Sequence, residues 1–144
     1  MASLHSAHAA ALTPEFVTRF ELREETERDA ATMDAIGSLR VRVWADEEGA
    51  LDLSALPNPD SWLDSLDALP RDACRHWTLC ERNAPSEPIA AARLTMHSTL
   101  DDESARDLKL WRDVGRALLL PCADLGRLVV RKSHRRLGLA QVVR

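Results

Sequence analysis

The segment Leu125-Gly-Arg-Leu-Val-Val-Arg-Lys-Ser-His-Arg-Arg-Leu-Gly-Leu-Ala-Gln141 restricts the fold more than any other part of the chain. An apolar, strand-like run passes through a basic turn containing glycine into the start of a helix. A turn that feeds a helix N-terminus presents backbone N–H groups without intrahelical partners, together with the positive end of the helix dipole. It therefore attracts a phosphate-bearing ligand, and the layout is that of a pyrophosphate cradle.

The charge distribution agrees with a local anion site. The last 18 residues hold Arg127, Arg131, Lys132, Arg135, Arg136 and Arg144 and no acid, whereas the first 126 carry 13 bases against 23 acids, a net of −10. A basic tip on an acidic body argues against a nucleic-acid surface spread over the whole molecule. Cys74, Cys80 and Cys122 are odd in number and form no CxxC pair, so neither a zinc knuckle nor a disulfide framework is indicated, and a reducing cytoplasm fits. No apolar run reaches the roughly 18 residues a membrane helix needs, and residues 1–14 lack the features of a secretory signal. Those residues read as a mobile arm before one domain spanning 15–144.

Along that domain, Phe16, Val17, Phe20 and Leu22 suggest a first strand. Ala30, Met33, Ile36, Leu39 and Val43 recur at helical spacing, which predicts a helix over 27–44 with one face packed on a sheet. Gly37 weakens that helix by about 1 kcal/mol relative to Ala, so a packing contact or a kink must account for it. A loop over 49–59 precedes a short helix over 61–69, capped by Asp60 or Ser61 and closed by Pro70. Strands over 75–82 and 89–95, joined by a longer loop at 83–88, form a hairpin. An insertion over 101–122 with loose helical spacing then leads to the strand at Leu128–Val130. The order of elements predicts a mixed α/β domain, an α+β arrangement on a mixed sheet.

Arg135-Arg-Leu-Gly-Leu-Ala140 matches the Arg/Gln-x-x-Gly-x-Gly/Ala signature, and with its preceding strand and element order the chain resembles the GNAT superfamily of N-acyltransferases. The resemblance implies that backbone amides of Arg135, Arg136, Leu137, Gly138, Leu139 and Ala140 hold the pyrophosphate of acyl-CoA. It also implies that Leu128, Val129 and Val130 pair their backbone with the pantetheine arm. The physics agrees: Gly138 lets the backbone approach phosphate oxygens, Ala140 lets the helix pack closely, and Arg131, Lys132 and Arg135 supply positive field. Lys132 and Arg136 stand where the family often has Pro and Gly.

The implied activity is transfer of an acyl group, acetyl in the simplest case, from acyl-CoA to a primary amine of a small molecule or protein, without a metal. Direct amine attack would need a base or water chain and a strand amide on the thioester carbonyl. No catalytic residue is assigned. Leu39-Arg-Val-Arg-Val-Trp44, Ala92-Arg-Leu94 and Leu125-Gly-Arg-Leu128 look like the acyl-homoserine-lactone and N-acyl amino acid synthase branch, whose members can use acyl carrier protein as donor. A homodimer is compatible with the resemblance. A complete domain of this family continues beyond 144 residues and carries its general-acid Tyr there. The chain, which has no Tyr, is therefore expected to be an N-terminal portion with weak or no activity alone.

Plainer readings stand beside these. The run Arg131–Arg136 suits a nucleic-acid contact, and a remnant that only binds CoA would keep the same motif. Asp46, Glu47 and Glu48 could receive the amine or simply form a solvated helix end. His76 and His97 read as bases or as hydrogen-bonded strand histidines, and His134 as a polar turn residue. Trp44 and Trp62 read as pocket walls or buried anchors, and Cys74 as a packed thiol or, next to His76, as an acyl-carrying nucleophile.

Overall fold

Among the described residues, four strands pair in the order in which they occur along the chain: β1 (Phe20–Glu24), β2 (Cys74–Glu81), β3 (Ala84–His97) and β4 (Cys122–Val130), each antiparallel to the next. The computed structural model describes residues 14–99, 120–137 and 139. Alternation along β3 builds two cores. Ala90 and Ala92 face Phe20, Leu79 and Leu139, while Ala91 on the opposite face meets Ile36, Leu39 and Val43 together with Val129 of β4. A row of alanines in a central strand lets both layers approach closely. The result is a mixed α/β domain in which every described strand pair is antiparallel. Among the described residues no helix is long and apolar enough to cross a membrane.

The first expected strand is corrected at its start. Pro14–Arg19 forms the short helix α1, and strand geometry begins only at Phe20. Proline is preorganised for a first helical turn. The Thr18 hydroxyl donates to the Glu15 carbonyl at 2.8 Å, and Phe16 and Phe20, four residues apart, stack at 4.9 Å. The arm over 1–14 lies outside the described residues except for Pro14.

The long helix, α2 (Ala30–Val41), starts three residues later than expected because Asp29 caps it, accepting from the Thr32 amide at 2.7 Å. It does not stop at Val41 but widens into a π-helical turn, Arg42–Glu47, in which the Glu48 amide bonds the Val43 carbonyl five residues back at 3.1 Å. Gly37 has the packing explanation. A Cβ there would sit 2.0 Å from Ser61 Oγ, and the Gly37 carbonyl accepts from the Trp62 amide, so the segment around 60–63 lies directly on the helix.

The expected loop over 49–59 holds a 3-10 turn, Leu53–Ala55, capped by Asp52. The expected helix over 61–69 is a 3-10 turn, Ser65–Ala68, and its cap is neither Asp60 nor Ser61 but Asp64, in a reciprocal box with Asp67. The expected loop over 83–88 is also corrected. Arg82 and Asn83 make the turn, and 84–88 already belongs to β3, where register shifts opposite Leu79, Cys80 and Glu81 absorb Pro85 and Pro88. Most of the insertion over 101–122 lies outside the described residues.

Candidate functional site

β4 is not a straight edge. Ala91 pairs with Val129 and Arg93 with Gly126, so Ala92 alone faces two residues of β4, and Arg127 takes up the extra one with φ 53. This bulge twists the last four residues of the strand away from its first half. Beyond it, Val129 is buried against α2, while Leu128 and Val130 pack with the core on the other face. The chain then leaves the sheet through a 3-10 turn, Lys132–His134, in which the His134 amide bonds the Arg131 carbonyl at 2.9 Å.

A cavity of about 490 Å³ opens where β4, this turn and the π-helical turn meet. The expected residues Leu128, Val129, Val130, Arg135, Arg136 and Leu139 line it, joined by Val43, Trp44, Glu48 and His134. Leu137 is 46% exposed and stands outside the lining. Gly138 and Ala140 lie outside the described residues. Leu139 is helical and buried.

Arg136, which stands where glycine is frequent in the resembled family, has φ 69. A side chain in that left-handed region costs on the order of 1–2 kcal/mol, a local strain that only the surrounding fold can hold.

The turn already grips anions, and they are the chain's own. Lys132 donates its backbone N–H to Glu47 Oε2 at 2.6 Å. Arg135 pairs through one guanidinium nitrogen with Glu48 and reaches Glu47 Oε2 with the other at 3.5 Å. Its Nε donates to the Val130 carbonyl at 3.0 Å, which folds the side chain back over the end of β4. Glu47 and Glu48 are therefore neither a free amine receiver nor a purely solvated helix end. His134 packs edge-on to Phe20 and shares a hydrogen bond with Ser133.

A second polar assembly was not anticipated as a unit. Arg40 forks onto both oxygens of Asp67 at 2.7 and 3.0 Å, and His76 Nε2 meets Asp67 Oδ1 at 2.8 Å. Arg93 bridges Asp64 at 2.6 Å and Asp67 at 3.1 Å, and Arg127 binds Asp64 at 2.7 Å. Burial pushes the Asp67 carboxyl up, but the His76 and Arg40 hydrogen bonds and the Arg40 charge outweigh it and hold the group far below the usual carboxylate range. Asp64 is likewise held low: burial opposes, and the Arg93 and Arg127 hydrogen bonds prevail. Arg127 also lies over the Trp62 ring at 4.4 Å, and Trp62 meets the cavity-lining Trp44 edge-on at 6.5 Å. The cluster thus runs from the buried sheet face to the cavity wall.

Arg40, Arg93 and Arg127 come one from each of the three short motifs that resemble the acyl-homoserine-lactone and N-acyl amino acid synthase branch, while Arg42 of the first motif is exposed and stands apart from them. Scattered over 88 positions, they converge on one pair of carboxylates. The signal for the pair was the Asp64-x-x-Asp67 spacing, which puts both carboxylates on one short turn.

Cys74 is fully buried and burial pushes its thiol up, while the neighbouring His76 Nε2 is already bonded to Asp67. That environment is the opposite of an activated nucleophile. His97 is buried as well. Among the described residues no three His, Cys, Asp or Glu side chains are grouped to hold a metal ion. In comparisons with family models, with curated proteins and with solved structures, nothing matches this chain.

Proposed function

We propose that the chain is an acyl-CoA-dependent N-acyltransferase of GNAT type and that the cavity beside β4 is its donor site. The observation that carries this reading is the cavity beside the bulged end of β4, whose lining includes Leu128–Val130 and the basic turn at Arg135 and Arg136. An extended strand edge with an apolar wall suits a pantetheine arm, and a basic turn entering a helix suits a diphosphate. The turn's existing grip on two carboxylates speaks for its anion affinity. In this reading β4 and the turn hold acyl-CoA, acetyl-CoA in the simplest case, and the acceptor is a primary amine. The net charge of −10 over the first 126 residues counts against a nucleic-acid contact.

The meeting of Arg40, Arg93 and Arg127 on Asp64 and Asp67 favours a narrower version, the acyl-homoserine-lactone and N-acyl amino acid synthase branch, with acyl carrier protein as donor. Calorimetric titration with CoA tests the broad reading. Saturable binding by the full chain, lost when a β-branched side chain fills the turn in Gly138→Val, is the expected result. Undiminished binding by Gly138→Val, or none by the parent chain, would overturn it. Competition between CoA and a phosphopantetheinylated carrier protein separates the two donors.

A further inference from the structure

Resting on that reading, we infer that Glu47 and Glu48 are an internal competitor for the donor's diphosphate, held in the binding turn until ligand displaces them. The contacts are specific. Glu47 occupies a backbone amide of the Lys132–His134 turn, and Glu48, itself a wall of the cavity, occupies Arg135. Both partners adjoin or belong to the Arg135–Ala140 segment assigned to the diphosphate, and both are groups that can bind a phosphate oxygen: a main-chain donor at the start of a basic turn and a guanidinium beside it.

Two acids from α2's far end, 85 and 87 residues away in sequence, reach this turn. They do so because the helix widens at Arg42–Glu47 before releasing the chain. Asp46 lies between Trp44 and Glu47 on the same turn, is exposed, and has no hydrogen bond or ion pair to the described residues of the basic turn. Proximity of negative charge and occupation of the donors are therefore separable.

A ligand that must displace two bound carboxylates binds more weakly than it would to an open turn, by the equilibrium constant for releasing them. The same contacts shield the donors against weaker anions. A diphosphate, with two charged groups to replace two, succeeds where a single carboxylate or chloride does not. The device therefore selects for a ligand carrying adjacent phosphates.

The test compares the parent chain with Glu47→Gln, Glu48→Gln, the double variant and Asp46→Asn, each titrated with CoA and with inorganic pyrophosphate. The expected result is affinity for both probes raised about fivefold or more in the double variant, since a neutral amide holds the same donors roughly half as strongly. Asp46→Asn should change affinity less than about twofold, the ordinary effect of an exposed charge. Equal gains in Asp46→Asn and the double variant, or no gain in the latter while the parent still binds CoA, would overturn the competitor and leave the acyltransferase reading standing. Absence of CoA binding in every chain would overturn that reading and the competitor with it. If the double variant does not fold, Glu48→Gln alone decides, because its side chain is 40% exposed and its loss removes only the Arg135 contact.

Discussion

Single residues carry strain or tolerance here that can be measured. Gly37 has no room for a methyl group, since its Cβ would fall within 2.0 Å of Ser61 Oγ and 3.2 Å of Leu63 Cγ. Gly37→Ala should therefore destabilise by about 1–3 kcal/mol despite alanine's better helix propensity, and urea unfolding checks the sign. A stabilised variant would mean that the segment at 60–63 does not rest on α2. Arg136 is the reverse case. Its φ of 69 is one that glycine adopts freely, so Arg136→Gly should leave the fold intact and raise stability by up to about 1 kcal/mol, read as a higher urea midpoint. A loss of that size would show that the arginine side chain stabilises the turn more than its backbone strains it.

Among the elements, the turn bearing Asp64 and Asp67 concentrates the charge. Both carboxyls are held below their ordinary value of 3.8 in the folded state. Depressed carboxyls add stability that is complete above the unfolded value and lost as pH falls through the folded one. The melting temperature should therefore stay level from neutral pH to about 5 and decline below about 4. Asp67→Asn should cost about 3–5 kcal/mol at neutral pH, because Arg40 would be left buried without its counter-charge, and should flatten that acid decline. An unchanged acid profile in the variant would remove the cluster from the account of stability.

How far these elements could be read from residues alone follows from where their causes lie. β2, the body of α2 and the strand at Leu128–Val130 were legible because their apolar periods are local. The start of β1 was misread because Phe16 and Phe20 fit a helical spacing of four as well as a strand's spacing of two. The loop at 83–88 was misread because two register shifts, invisible in composition, accommodate its prolines. The Arg40–Asp67 pair and the contact of Glu47 with Lys132 join residues far apart in sequence, which no local pattern reports.

For the whole molecule, the account joins an antiparallel four-stranded sheet, a bulge that redirects its last strand, and a basic turn at the mouth of an apolar cavity. Each part has a structural duty of its own, and together they form a concave site whose walls are a strand edge and a basic turn. The most direct measurement of that claim is an amide-resolved NMR titration of the chain with CoA. The account predicts saturable shifts concentrated at the amides of Leu128–Val130 and Arg135–Ala140, with Val43 and Trp44 moving alongside. Shifts centred elsewhere, for example on the separate cavity at Glu25, Thr78 and Cys80, or no shifts at saturating ligand, would contradict it.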